Sequence, residues 1–238
     1  MTKHAIILGI GSDIGREIAE RLFTDGWSVL GWHHSDIPDD ADHWDLIVCC
    51  YCSLEPIKSF WEGNFADWCR AFDANLFTPL SHLRMLYHVR NPGASVCFFS
   101  GAGTGGPAPT YSAYAASKVA LVKLVELLDD ESPDCKFFIL GPGVVRTKIH
   151  DQTLRAGARA ANYQRVVDFM KTEECGTSHD DIYACLMACV AAPKAAVGGR
   201  NICVHLDDWS RLGELAADPN TFKLRRYGDE ALRRGGKA

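Results

Sequence analysis

Tyr114 and Lys118 are the two residues whose types and spacing most directly suggest chemistry. They lie four positions apart in a helix predicted to begin near Tyr111, so both side chains share one face, one turn apart. A phenol titrates near pH ~10, and a nearby ammonium favours its ionised form, which helps it exchange a proton with an alcohol or ketone oxygen. Ser100 ends a predicted strand, Ser95 to Phe99, and its hydroxyl can hold the same oxygen from the other side.

A glycine-rich turn near the start of the chain has the composition of a phosphate-binding loop. The predicted strand His4 to Leu8 leads into it, and a predicted helix, Arg16 to Asp25, follows. Glycines allow close approach of the backbone, and the first amides of a helix attract a pyrophosphate. The alternative is a plain strand-to-helix turn. The residues predicted to contact a cofactor here are Gly9, Gly11, Ser12, Asp13, Ile14 and Gly15.

The end of the second predicted strand, Trp27 to Trp32, is where a dinucleotide fold reads the adenosine ribose. This chain has His33, His34 and Ser35 there, a set that suits a 2′-phosphate better than an acid would. Asp36 follows as an opposing feature, so NADP(H) is favoured and NAD(H) stays possible. The alternative is that both histidines are ordinary loop residues, since a neutral imidazole is a poor phosphate ligand.

The segment between the second and third predicted strands is too short for a crossover helix. Residues 35–43 contain little except Asp, Pro and Ala, and the third strand, Asp45 to Tyr51, follows at once. A parallel crossover needs about a dozen residues or more, so one βα unit is predicted to be missing after the second strand. We therefore expect one α/β domain over residues 1–238, with a Rossmann-like, doubly wound parallel sheet of six strands. The last two strands are predicted at Cys135 to Leu140 and Asn201 to Leu206.

The remaining segments are expected to support the site. Phe60 to Val89 reads as a long helix bent at Pro79, and it carries Asn75, either a satisfied core amide or an organiser of water near Lys118. Residues 148–177 lack a strand pattern and are predicted to form a substrate lid, and residues 210–238 a tail.

Composition excludes several classes of protein. A net charge of -5 argues against a nucleic-acid or acidic-membrane surface. No apolar run approaches the roughly 20 residues that span a bilayer, and no secretory signal is recognisable, so we expect a cytoplasmic protein with no membrane partner. The ten cysteines are therefore expected to be reduced thiols. No metal site is predicted, because the cluster Cys49, Cys50 and Cys52 lacks paired zinc-ligand spacing.

These features resemble the short-chain dehydrogenase/reductase family over nearly the whole chain. The specific part is the motif from Tyr114 to Lys118, combined with the glycine turn, the strand that bears Ser100, and a Pro-Gly-x-x-x-Thr turn. The resemblance implies a nicotinamide cofactor, Tyr114 as acid/base, Lys118 holding the ribose, Ser100 orienting the reacting oxygen, and Asn75 in a proton relay. It also implies cofactor contacts from Pro142, Gly143, Val145 and Thr147.

The sequence departs from the family pattern at several places. Asp13 replaces the usual middle glycine of the cofactor motif, and Cys49-Cys50-Tyr51-Cys52 replaces an Asn-Asn-Ala-Gly ending. Ser100 lies fourteen residues before Tyr114, one more than is customary, which requires a bulged loop.

We expect an NAD(P)(H)-dependent oxidoreductase acting on a small-molecule carbonyl or secondary alcohol. One alternative is a catalytically silent NADP-binding sensor or scaffold, and another is an enzyme that modifies a nucleotide-linked sugar. The apolar face of the helix that bears Tyr114 predicts self-association as a homodimer or homotetramer.

Overall fold

Six parallel strands form one sheet in the order β2-β1-β3-β4-β5-β6. The computed structural model describes residues 2–36, 41–172 and 176–225. Separate apolar layers cover the two faces of the sheet, one including α1 and α7 and the other α3 and α4. This is the predicted Rossmann-like α/β architecture. The strands are β1 His4–Leu8, β2 Ser28–Trp32, β3 Trp44–Cys49, β4 Arg90–Phe99, β5 Lys136–Gly141 and β6 Asn201–Cys203.

Eight α-helices occur within the described ranges, most of them packed on the sheet faces. Ser12 and Ser178 cap α1 and α7 through their side chains, which accept hydrogen bonds from the amides of Gly15 and Asp181. A π-helical turn, Asp73–Phe77, joins α2 to α3. The helices are α1 Asp13–Thr24, α2 Phe65–Phe72, α3 Thr78–Leu86, α4 Ser112–Asp130, α5 His150–Ala156, α6 Tyr163–Lys171, α7 His179–Ala191 and α8 Lys194–Val197.

The missing βα unit is confirmed by the strand order. The described residues between β2 and β3 (33–36 and 41–43) contain no helix or strand. As a result β3 pairs directly with β1, with Ala5 opposite Leu46, and β2 pairs with β1 on the other side. The carboxyl ends of β1, β3, β4 and β5 therefore meet at one edge of the sheet, which is where α/β folds bind ligands.

Several element boundaries differ from the prediction, most of them by one to three residues, and the larger differences are in β4 and in the long helix. β4 begins at Arg90 rather than Ser95, and Gly93 lies inside it with a φ of 81°, in the stretch where the pairing with β3 shifts register. β6 ends at Cys203, three residues early, because the chain turns there. The predicted long helix from Phe60 is divided: α2 begins at Phe65, and the π turn separates it from α3, so that Pro79 lies in the first turn of α3, where its missing amide breaks no helical bond.

The buried indole of Trp44 is expected to contribute to the stability of the fold. Its indole is fully buried and donates a hydrogen bond of 2.8 Å to the Leu86 carbonyl at the end of α3. Trp44→Phe should lower the free energy of unfolding by about 1–3 kcal/mol, because the carbonyl is left without a partner and volume is lost. Urea denaturation measures this. Trp61→Phe, at a side chain that is 89% exposed, should stay within about 0.5 kcal/mol of wild type, and equal losses in the two variants would contradict the assignment.

Candidate active site

Tyr114 and Lys118 lie on the first two turns of α4, and both are buried as the helix packs on the sheet. The Lys118 ammonium, in a side chain only 2% exposed, donates a 2.9 Å hydrogen bond to the carbonyl of Phe99, the last residue of β4. A buried charge needs such a partner. The bond fixes the start of α4 against the carboxyl end of β4 and places the phenol and the ammonium on one side of the helix.

The Tyr114 hydroxyl lies directly against Gly101. A Cβ at Gly101 would overlap the phenol, so a residue without a side chain is required there. Burial raises the pKa of Tyr114 well above its usual value, and the nearby Cys52 thiol raises this pKa further. The sequence predicted a pKa lowered by Lys118. The direction is opposite because the phenol is desolvated and the Lys118 ammonium is directed to the Phe99 carbonyl.

Ser100 follows β4 immediately and is buried. Its amide bonds the Leu140 carbonyl at 2.9 Å, and its hydroxyl lies 3.2 Å from where a Cβ would stand on Gly141. Within the described chain, no hydrogen bond joins the Ser100 and Tyr114 hydroxyls. The residue thirteen positions before Tyr114 is Gly101, so the extra residue of spacing is taken up where the loop leaves the strand.

Asn75 lies in the π turn between α2 and α3 and is almost fully buried. Its amide oxygen accepts from the Ser53 amide at 2.7 Å, and its nitrogen donates to the Ser53 carbonyl at 2.9 Å and to the Ser117 hydroxyl at 3.1 Å. The side chain thus clamps the loop after β3 to α4. This geometry matches the satisfied core amide, one of the two roles left open by the sequence.

The glycine turn after β1 has the shape that a phosphate requires. Gly9 has a φ of 97°, and a Cβ there would lie 3.0 Å from Tyr51. A Cβ at Gly15 would lie 2.5 Å from the Gly9 carbonyl oxygen. The Ser12 hydroxyl accepts from the Gly15 amide and donates to the Gly9 carbonyl. The first amides of α1, at Asp13 and Ile14, have no partner within the helix and are free for an anion, so this turn fits a pyrophosphate.

The loop after β2 stands beside this turn. The His33 ring lies 2.9 Å from the position of a Cβ on Gly11. The Tyr51 hydroxyl donates to the His33 carbonyl at 3.0 Å, and the His33 amide donates to the Asp36 carboxylate at 2.6 Å. His34 and Ser35 are exposed in the same loop. The loop that is predicted to contact the adenosine ribose therefore lies against the glycine turn.

The turn after β5 faces the same edge of the sheet. Gly143 has a φ of 74° and packs so tightly against His205 and Thr177 that a Cβ would lie 2.5 Å from the His205 Nδ1. Pro142 precedes it, and the buried Val145 forms a bridge with Gly176. The Thr147 hydroxyl lies 3.5 Å from the Val145 carbonyl oxygen.

Two site residues were missed by sequence reasoning. Gln152 in α5 accepts from the amides of Leu54 at 2.7 Å and Glu55 at 3.2 Å, which ties the predicted lid to the loop after β3. Lys148, the first residue of that lid, reaches the glycine turn and donates to the Gly11 carbonyl. A glutamine and an exposed lysine carry no local signal, because only the fold brings them near their partners.

The chain belongs to the short chain dehydrogenase family, whose family model matches residues 35–157. An uncharacterized oxidoreductase of Schizosaccharomyces pombe is 30% identical over 104 residues, which are 43% of this chain and 42% of that protein. The match therefore spans less than half of that relative. Family membership confirms the predicted resemblance.

Solved structures confirm the fold. A small-chain dehydrogenase in complex with NADPH aligns with a TM-score of 0.70 and 17% identity, covering 85% of this chain and 96% of that one. The ligand-free aldohexose dehydrogenase of Thermoplasma acidophilum aligns with a TM-score of 0.70 and 18% identity, covering 85% and 92%. A short chain dehydrogenase/reductase of Saccharomyces cerevisiae has a TM-score of 0.69 and 17% identity, covering 93% and 100%.

The described residues contain neither a cluster of metal-binding side chains nor a membrane-spanning helix. No group of three or more His, Cys, Asp or Glu side chains is arranged to hold a metal ion there. No helix in those ranges has the length and apolar character needed to cross a membrane.

Gly101 provides a test of the site geometry. Gly101→Ala should reduce turnover by about tenfold to a hundredfold, because the added methyl group displaces the Tyr114 phenol by an ångström or more. The measurement is the steady-state rate with a carbonyl substrate that wild type reduces. Gly105→Ala is the control, since a Cβ there meets no atom within 4 Å. Equal rates in the two variants would show that the catalytically relevant position of the Tyr114 phenol does not depend on a glycine at position 101.

Proposed function

We propose that this protein is an NAD(P)(H)-dependent oxidoreductase that interconverts a carbonyl and a secondary alcohol, with Tyr114 as general acid/base. The observation that carries the proposal is the buried Tyr114 and Lys118 pair beside Ser100, at the sheet edge that also holds the glycine turn. The bound nicotinamide supplies or accepts the hydride. Family membership supports the reaction class.

In this proposal the protein handles the proton and the orientation of the substrate. Tyr114 donates its phenolic proton to the carbonyl oxygen during reduction and accepts it during oxidation. Lys118 holds the nicotinamide ribose with the protons that its bond to Phe99 leaves free. Ser100 orients the reacting oxygen, and Asn75 acts as a positioning residue that keeps α4 and the loop after β3 in register.

We propose NADP(H) as the preferred cofactor, with NAD(H) as the competitor. His33, His34 and Ser35 stand at the end of β2 without an acid at the strand end itself, and the Asp36 carboxylate is engaged by the His33 amide. One structural relative was solved with NADPH, which is consistent with the preference. Pro142, Gly143, Val145 and Thr147 are proposed to contact the nicotinamide half.

The surroundings of Tyr114 favour a small, neutral and mainly apolar substrate. Ile57, Tyr111 and Ala160 pack against Tyr114 in one apolar cluster, to which Ala156 and Tyr163 of the predicted lid contribute. Two nearby cations are already engaged: Arg146, just before the predicted lid, donates to the carbonyls of Phe169, Met170 and Thr172, and Arg155 within the lid lies 3.6 Å from the Glu55 carboxylate. A nucleotide-linked sugar is therefore the weaker candidate, and we propose that residues 148–177 select the substrate.

Self-association and location are further proposals. Leu127 on α4 and Phe77 at the end of the π turn are exposed apolar side chains, which suits a homodimer or homotetramer joined through these helices. Cysteines within the described ranges are all unpaired with one another, which suits a reducing cytoplasm.

Tyr114→Phe tests the proposed reaction. It should lower the rate of NADPH oxidation with a carbonyl substrate by about 10² or more, since the acid/base group is lost, while NADPH binding stays near wild type. Tyr183→Phe is the control, because that hydroxyl donates a hydrogen bond to Asp25 at the C-terminal end of α1, away from the glycine turn at its N-terminal end. A rate within a few-fold of wild type would rule out Tyr114 as acid/base. Tight NADPH binding without turnover of any compound in a broad carbonyl panel would favour the alternative function, a catalytically silent NADP-binding sensor or scaffold.

The raised pKa of Tyr114 predicts how the two directions depend on pH. A raised pKa keeps the phenol protonated through the neutral and mildly alkaline range, and the protonated phenol is the form that donates. Carbonyl reduction should therefore stay constant up to about pH 10, whereas alcohol oxidation, which needs the phenolate, should rise with pH. Profiles of kcat/KM in both directions measure this. A reduction rate that falls between about pH 7 and 9 would mean that the phenol ionises early.

A further inference from the structure

The glycine turn carries a negative side chain where an anion should bind. Asp13 is the first residue of α1, its side chain is 19% exposed, and its amide is one of those that point toward the proposed pyrophosphate. An aspartate at this position repels phosphate, which opposes the attraction of the helix N-terminus. The turn therefore needs a compensating positive charge if it is to hold a dinucleotide.

Lys148, which follows the turn after β5, supplies that positive charge. Its backbone amide donates to the Asp13 carboxylate at 2.7 Å, and its ammonium lies 3.8 Å from the second carboxylate oxygen. The same ammonium donates to the Gly11 carbonyl, inside the glycine turn. The Asp13 carboxylate is thus turned toward Lys148 and also lies 3.4 Å from the exposed guanidinium of Arg16.

The position of Lys148 is set by the topology. β3 and β4 stand between β1 and β5 in the sheet, so the chain that leaves β5 has to cross the carboxyl edge of both strands to reach the start of α1. It does so through the turn that contains Gly143 and Thr147, which is the proposed nicotinamide contact. Lys148 is the next residue and lies at the phosphate end of that path.

The Lys148 ammonium is placed to donate a hydrogen bond to a bound anion. Its side chain is 60% exposed, and an ammonium has three protons, of which the Gly11 carbonyl takes one. A pyrophosphate at the amides of Gly11, Asp13 and Ile14 would lie beside this group. A flexible lysine binds phosphate as a point charge, so it needs no further fixed geometry.

We infer that Lys148 is a phosphate-binding residue that contacts the cofactor pyrophosphate and neutralises Asp13 in the glycine turn. This rests on the proposed dinucleotide function and adds a residue and a role to it. Because the pyrophosphate is common to both cofactors, Lys148 contributes equally to NADPH and NADH, and the choice between them stays with the loop after β2. Its position as first residue of the lid also ties the lid to the loaded cofactor site.

Titrations of the whole protein with NADPH and with NADH test the assignment. Lys148→Met should raise the Kd of both dinucleotides by about tenfold, the effect of losing one hydrogen bond to a charged group, and should weaken the salt dependence of binding. Lys148→Arg should retain most of the affinity. Asp13→Asn should bind both cofactors as tightly as wild type or more tightly, since the repelling charge is gone. Lys171→Met, which removes an exposed lysine at the end of α6, should leave both Kd values unchanged.

Four results would overturn the inference. Lys148→Met with both Kd values within twofold of wild type excludes the contact, and a loss confined to NADPH assigns Lys148 to the 2′-phosphate instead. Acetic anhydride labelling read by mass spectrometry gives a second measurement on the wild-type chain: NADPH should protect Lys148 and leave Lys171 unprotected, and equal labelling of Lys148 with and without NADPH excludes the contact. Wild type that binds neither dinucleotide overturns the proposed function together with this assignment, whereas wild-type binding that is insensitive to Lys148→Met overturns this assignment alone.

Discussion

The hydrogen bond from Lys118 to the Phe99 carbonyl is the constraint on which the rest of the site depends. It buries a positive charge at the junction of α4 and β4, and a buried ammonium without such an acceptor would be strongly destabilising. With that contact fixed, the Tyr114 phenol has to lie against the first loop residues after β4. The requirement for a glycine at position 101 and the place of Ser100 both follow from this one anchor.

Three further contacts hold segments that are distant in sequence together at the site. The Asn75 clamp holds the loop after β3 to α4, and Gln152 holds the same loop to α5. The Asp13 carboxylate holds the amide of Lys148 at the start of α1. Three side chains thus bind main-chain groups of other segments, and each fixes the route of a loop rather than the position of a single atom. A site built in this way is ordered by backbone contacts before any ligand arrives.

Local signals were enough to predict the strands, the missing βα unit and the Tyr114–Lys118 pair, because periodicity, segment length and helical spacing depend on neighbours in sequence. The direction of the Tyr114 pKa was not predictable, since it depends on burial and on where the Lys118 ammonium points. The π turn that places Asn75 was read as a bend at Pro79, because a widened turn has no composition of its own. Lys148 and Gln152 act across about a hundred residues of sequence, a separation at which local patterns carry no information.

The shortened sheet has a consequence for the behaviour of the chain in concentrated solution. In the described part of the structure β2 pairs only with β1, so its outer side is an open edge of unpaired amides and carbonyls. Such edges invite intermolecular strand pairing unless they are short or irregular. β2 has five residues, includes Gly31 and runs directly into the turn at His33, so it offers a neighbouring chain little length on which to extend the sheet.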